Sequence, residues 1–111
     1  MSPCNLASFP GLDRACKAYG MTEEQLRARL PEHNPIDRLP PLAKAHVPLY
    51  HIHGDSDTLV PLDKNSGELA QRYRKLGGSM TLNVIKGEGH TVWPGWFECQ
   101  ELVDFMIAQA Q

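Results

Sequence analysis

The sequence contains no long hydrophobic segment and no excess of charge of one sign. Its 111 residues include no apolar run near the roughly 18 to 20 residues that a membrane-spanning helix needs, so we expect no membrane span. Its 11 lysines and arginines against 13 aspartates and glutamates give a formal net charge of −2, which offers no basic surface to nucleic acid. The 41% hydrophobic and 22% charged residues are ordinary globular usage. We therefore expect a soluble globular chain of at most one domain.

Cysteine is also scarce, and the first residues lack a targeting pattern. Cys4, Cys16 and Cys99 match neither a CxxC pair nor a zinc-binding spacing. We expect buried or half-buried free thiols, with a Cys4–Cys16 disulfide as the alternative. The chain start has no charged and apolar regions of a signal peptide, which indicates the cytoplasm by default. A leader would be lost with any missing upstream part, so the localisation stays unknown from the sequence.

The composition changes near residue 46 and divides the chain into two parts. Residues 1–46 hold six of the nine prolines and are predicted to form loops with two short helices. The first helix is predicted over residues 12–18. The second is predicted to begin after Thr22, which forms a capping box with Gln25, and to end at Pro31. We predict no strand in this part, which would serve as a cap-like segment or as the approach to a strand.

The second part, residues 47–111, alternates strand and helix. Strands are predicted at about 47–53, which is β-branched and aromatic, and at about 80–86. Apolar residues at helical spacing predict a helix over 61–76. A closing helix has one apolar face, formed by Cys99, Leu102, Val103, Met106 and Ile107. This order predicts an α/β fold with two parallel strands in a right-handed βαβ unit.

Two parallel strands are too few for an independent sheet. Parallel sheets are normally buried on both faces, and sheets contain about five or six strands on average. A pair alone buries too little apolar surface to offset the conformational entropy of the chain. We therefore expect either a homo-oligomer, formed through the open edge of strand 47–53, or the last part of a larger domain, and we favour the larger domain.

Two residues that could carry chemistry follow the two predicted strands. Asp57 lies in the turn after the first strand and His90 in the glycine-rich turn after the second. Ligands and catalytic groups gather at the carboxyl ends of parallel strands, so we expect the two side chains to meet. A carboxylate that accepts an imidazole N–H stabilises the ring as it takes a proton, which suits an acid and a base. The alternatives are a turn-bracing or helix-capping role for Asp57, a solvated His90, and a loop-bracing Asp55.

Residues 53–61 (HGDSDTLVP) and 87–90 (GEGH) resemble the C-terminal part of an α/β-hydrolase. They are most similar to the prolyl-oligopeptidase-like, esterase and dienelactone-hydrolase-type branch, and the resemblance covers the chain from residue 47 onward. The family's acid stands in a G-x-x-D-x-x-V-P turn, which matches Asp57, and its histidine in a G-x-G-H turn, which matches His90. The resemblance implies a partial α/β-hydrolase fold and serine-type hydrolysis of a small carboxylic ester or peptide without a cofactor.

The nucleophile half of that family is absent from this sequence. There is no G-x-S-x-G elbow; the nearest segment, residues 77–81 (GGSMT), lacks the closing glycine and precedes a strand instead of following one. No H-G-G-type oxyanion loop is visible. Nothing favours Ser8, Ser56 or Ser79 as a substitute, so the nucleophile is unknown. We expect little triad catalysis from this chain alone, and a non-catalytic, self-associating remnant is the alternative function.

Two further patterns have open interpretations. Trp93 and Trp96 would either line a substrate pocket beside His90 or only pack their loop onto the last helix. Alternate residues from the first strand and its turn could form a zinc site, as in the H-x-H-x-D-H motif of metallo-β-lactamase-type hydrolases. Serine replaces the last histidine of that motif, and the pattern lies inside a strand, so we expect no metal. The residues of this pattern are His51, His53, Asp55 and Asp57.

Overall fold

The computed structural model describes residues 3–111 and contains two parallel strands with helices around them. The strands are β1 (Leu49–Gly54) and β2 (Met80–Ile85), paired in register from Leu49 opposite Met80 to Gly54 opposite Ile85. The helices are α1 (Leu12–Tyr19), α2 (Glu23–Ala28), α3 (Leu30–His33), α4 (Leu39–Lys44), α5 (Ser66–Lys75) and α6 (Gln100–Ala110). The α/β class and the two parallel strands are confirmed. Across residues 3–111, no helix is long and apolar enough to cross a membrane.

The helices of the N-terminal part differ from the prediction around the prolines. The capping box of Thr22 and Gln25 begins α2 as expected, with both reciprocal hydrogen bonds formed. The prediction that Pro31 ends this helix is wrong, because Pro31 lies in the first turn of α3, where a missing N–H costs nothing. The same tolerance applies to Pro40, so α4 forms where a loop was predicted. No strand forms between residues 3 and 46, as expected.

Helix α5 covers one face of the sheet and forms the main core with it. Tyr73 of α5 is fully buried, and its hydroxyl donates to the carbonyl of Val47, just before β1. Leu49 of β1 and Leu82 of β2 pack against the same cluster. The buried members of this cluster are Cys4, Ile36, Leu39, Ala43, Leu69, Ala70, Tyr73 and Met80.

Side-chain amides attach the N-terminal segment to the βαβ unit. Asn65, at the start of α5, accepts the backbone N–H groups of Cys4 at 3.2 Å and Asn5 at 3.1 Å. Within the N-terminal part itself, Asn34 accepts the N–H of Leu6 at 2.9 Å. All three cysteines are free thiols, as expected, so the alternative Cys4–Cys16 disulfide is wrong. Burial raises the pKa of Cys4 to about 11.

The other face of the sheet and the outer edge of β1 are less covered. Tyr50 of β1 contacts α6: its hydroxyl donates to Glu101 at 3.0 Å and its ring lies 5.4 Å from that of Phe105. The apolar face of α6 is largely exposed at Val103, Met106 and Ile107. Within residues 3–111, β1 pairs only with β2, so its outer edge has no neighbouring strand.

Candidate functional site

The turn of residues 55–60, called the acid turn below, begins directly after β1 and is stabilised by the carboxylate of Asp57. Oδ1 of Asp57 accepts the backbone N–H groups of Leu59 at 3.0 Å and of Val60 at 2.7 Å. These bonds close the turn and fix the carboxylate; the Asp57 side chain is 1% exposed. The turn-bracing role considered for Asp57 is therefore present, but it uses only one of the two carboxylate oxygens. The second oxygen, Oδ2, remains for another partner.

That partner is His90, which lies in the loop after β2. Its Nδ1 is 2.9 Å from Oδ2 of Asp57, and its side chain is 33% exposed. An ionised carboxylate only accepts, so Nδ1 carries the proton, and in the neutral ring Nε2 keeps a free lone pair. Nε2 is the atom that a general base needs. The structure therefore brings together the two residues that the sequence placed on one rim of the sheet.

The electrostatics of the site favour an ionised Asp57. Burial raises the pKa of this carboxyl, but the N–H of Val60, the hydrogen bond and charge of His90, and the N–H of Leu59 outweigh burial. The result is a pKa below the ordinary value, so Asp57 is negative at neutral pH. A buried negative charge next to an imidazole stabilises the ring's protonated form, which arises during general-base catalysis.

The loop of residues 86–91 after β2, called the histidine loop below, packs closely against the acid turn through backbone contacts. Ser56 donates its N–H to the carbonyl of Glu88 at 3.0 Å. A Cβ on Gly54 would lie 2.1 Å from the same carbonyl oxygen, so only glycine fits at the end of β1. Asp55 accepts the N–H of Gly87 at 2.8 Å, and this bond is the main cause of the lowered pKa of Asp55. The loop-bracing role expected for Asp55 is confirmed.

An apolar cavity of about 380 Å³ lies beside the Asp57–His90 pair. Trp96 lines it and donates its indole N–H to the carbonyl of Thr91 at 3.0 Å. Trp93 packs edge-on against Trp96, with ring centroids 5.1 Å apart, and lies outside the cavity wall. Of the two tryptophans, only Trp96 therefore takes the pocket-lining role that was considered for both. The cavity is lined by Tyr50, Ile52, Gly54, Asp57, Gly89, Thr91, Val92, Trp96, Phe97 and Leu102.

The histidines of the candidate zinc pattern have other partners. His51 and His53 both contact the hydroxyl of Ser66 through Nδ1, at 3.0 and 2.7 Å. Asp55 binds the N–H of Gly87, which directs it to the histidine loop. Among residues 3–111, no group of three or more histidine, cysteine or acidic side chains is arranged to hold a metal ion.

Among residues 3–111, His90 forms no hydrogen bond with the candidate serines Ser8, Ser56 and Ser79. Ser56 donates to the carboxylate of Asp55 at 3.0 Å, and Ser8 donates to the carbonyl of Asn5 at 3.1 Å. In the described part of the chain, the side-chain hydrogen bond of His90 goes to Asp57 alone.

Sequence reasoning missed the cavity residues of β1 and α6, which alternation and helical spacing could have placed on facing surfaces. No protein family, curated protein or solved structure matches this chain.

Proposed function

We propose that this chain supplies the acid and the base of a serine-type acyl hydrolase, as the C-terminal part of an α/β-hydrolase domain. The observation that carries the proposal is the 2.9 Å contact between Oδ2 of Asp57 and Nδ1 of His90, on the loops that follow two neighbouring parallel strands. The lowered pKa of Asp57 and the exposed position of the His90 ring support the two roles.

In this proposal, Nε2 of His90 removes the proton from a serine hydroxyl while the serine oxygen attacks the substrate carbonyl carbon. Asp57 holds the imidazole in one tautomer and stabilises the imidazolium that forms. The imidazolium then gives its proton to the leaving alcohol or amine, and an acyl-serine ester remains. Water, deprotonated by the same histidine, attacks the ester; the imidazolium returns this proton to the departing serine oxygen, which releases the carboxylic acid and restores the serine. The cycle balances without a cofactor.

The cavity beside the pair favours an uncharged, apolar substrate group. Its wall contains no lysine or arginine, and its one carboxylate, Asp57, is occupied by His90 and by two backbone N–H groups. Burying an unpaired charge there would be costly, whereas an alkyl or aromatic group would bury apolar surface. We therefore propose carboxylic esters or peptides with an apolar group as substrates.

The serine itself, in this proposal, comes from an upstream part of the domain whose strand pairs with the outer edge of β1. A second candidate is a non-catalytic remnant that associates with itself through the same edge. The observation that favours it is the open row of backbone groups along β1, which lacks a partner within residues 3–111.

The first test is a spectroscopic one on the acid–base pair. With [15N]histidine labelling, a proton held between His90 and Asp57 gives a slowly exchanging, low-field imidazole resonance. We expect this resonance in the wild-type chain and its loss in Asp57→Asn. The absence of the resonance in the wild type, or its persistence in Asp57→Asn, would overturn the proposed pair.

The second test measures hydrolysis of a short-chain activated ester by the purified chain. We expect equal background rates for wild type and His90→Ala, because the serine and its oxyanion hole are supplied from outside this chain. His46→Ala, at an exposed histidine after α4, is the control for background reaction at surface imidazoles. Turnover that His90→Ala abolishes and His46→Ala retains would mean that these residues contain a working nucleophile.

A further inference from the structure

A second cluster of polar side chains lies next to the Asp57–His90 pair and has no role in the chemistry described above. His53, near the end of β1, is completely buried, and its Nε2 lies 2.8 Å from the carbonyl oxygen of Val60. Its Nδ1 lies 2.7 Å from the hydroxyl of Ser66, which is buried at the start of α5. His51 contacts the same hydroxyl through its own Nδ1 at 3.0 Å. One side chain of β1 thus joins the acid turn to α5.

The partners determine which atoms of this cluster carry protons. A carbonyl oxygen only accepts, so Nε2 of His53 donates to Val60. In the neutral ring Nδ1 then accepts, and the hydroxyl of Ser66 donates to it. Because that hydroxyl has a single proton, Nδ1 of His51 donates to the Ser66 oxygen. Burial is the main cause of a lowered pKa of His51, which favours the neutral His51 ring that this arrangement contains.

Val60 connects this cluster to the catalytic carboxylate. Its N–H donates to Oδ1 of Asp57 at 2.7 Å, its carbonyl accepts from His53, and its side chain is buried. The residue is therefore held on both sides of its Cα atom. The distance of 3.8 Å between Nε2 of His53 and Oδ2 of Asp57 is too long for a hydrogen bond. The chain of hydrogen bonds from His53 to the carboxylate therefore runs through Val60, and Oδ2 stays available to His90.

We propose that His53 is a positioning residue, which fixes Val60 and thereby holds the Asp57 carboxylate so that Oδ2 faces His90. This inference rests on the proposed function, because orientation of the carboxylate matters only if Asp57 and His90 work as acid and base. Displacement of a catalytic group by about 1 Å can reduce a rate about 100-fold. The gain in rate from the hydrogen bond between His53 and Val60 would therefore offset the cost of burying a polar side chain in the core.

The test follows the Asp57–His90 hydrogen bond in variants of the full chain. His53→Phe removes the donor to Val60, His53→Gln keeps an N–H donor of similar reach, and His51→Gln is a matched control on the same strand. The readouts are the low-field His90 resonance and the pKa of Asp57 from its 13C carboxylate shift. We expect His53→Phe to lose the resonance and to raise the pKa of Asp57 toward its ordinary value. We expect His53→Gln and His51→Gln to retain both signals.

Retention of both signals in a folded His53→Phe chain would overturn the positioning role. If His53→Phe does not fold, Ser66→Ala replaces it, because it removes the hydroxyl that fixes the His53 ring and keeps the ring itself. A weakened resonance in Ser66→Ala supports the inference, and an unchanged one overturns it. Asp57→Asn separates the two proposals. If Asp57→Asn loses the resonance and His53→Phe retains it, the positioning role of His53 is rejected and the Asp57–His90 pair stands. Failure to see the resonance in the wild type rejects the pair itself.

Discussion

At the scale of single residues, Asp57 uses its two carboxylate oxygens for different tasks. Oδ1 closes the turn through the N–H groups of Leu59 and Val60, and Oδ2 holds His90. Both oxygens accept at the same time only in the ionised form, because protonation turns one of them into a donor. The stability of the turn and the orientation of the His90 ring therefore depend on the same ionisation.

This dependence predicts how the stability changes with pH. The pKa of Asp57 is lower in the folded chain than its ordinary value of about 3.9, so the ionised carboxylate stabilises the fold above that pH. The stabilisation is lost as the pH falls through the lowered folded pKa. We expect the difference in free energy of unfolding between wild type and Asp57→Asn to be largest at neutral pH and to shrink below about pH 4.

The measurement is urea unfolding of both chains between neutral pH and pH 3. Asp63→Asn, at an exposed aspartate in the turn before α5, is the control and is expected to differ little from wild type at any pH. A difference between wild type and Asp57→Asn that stays constant over this range would contradict the account of the turn.

At the scale of elements, a buried tyrosine is one of the residues that join α5 to β1 and to the chain just before it. Tyr73 is fully buried, and its hydroxyl donates to the carbonyl of Val47. Tyr73→Phe keeps the ring in the core and leaves that carbonyl without its partner, so we expect a loss of about 1 kcal/mol in the free energy of unfolding. Tyr19→Phe removes a hydroxyl at the surface whose contact is 3.5 Å long, and we expect no measurable loss. Equal stabilities of the two variants in urea would show that the buried bond contributes nothing.

The elements also show which features the sequence could predict. β1 and β2 were predictable because β-branched and aromatic residues end at glycine turns, and α2 because its capping box is a local signal. α4 was missed because a proline is compatible both with a loop and with a first helical turn. The contact between Asp57 and His90 could be predicted from the order of the strands. The hydrogen bond of His53 to Val60 could not, because its acceptor is a backbone carbonyl, which no side-chain pattern reveals.

At the scale of the whole molecule, the outer edge of β1 is the least protected feature. Leu49 and Asp55 donate their N–H groups toward β2, so Tyr50, Ile52 and Gly54 direct their backbone groups to the outer edge. Within residues 3–111 no strand covers this edge, and β1 contains no lysine or acidic residue that would discourage pairing. A second copy presents the same edge, and antiparallel pairing of two β1 strands would satisfy both rows of groups.

We therefore expect a concentration-dependent dimer in size-exclusion chromatography with light scattering. Ile52→Pro removes an outward N–H and places a ring at the edge, so we expect a shift to monomer with β1–β2 pairing retained, because that ladder uses the alternate residues. Ile52→Val keeps the N–H and is expected to remain dimeric, and circular dichroism checks that both variants fold. A wild-type chain that stays monomeric at every concentration would contradict self-association. The outer edge of β1 would then be left to pair with a strand of another segment, as the hydrolase proposal requires.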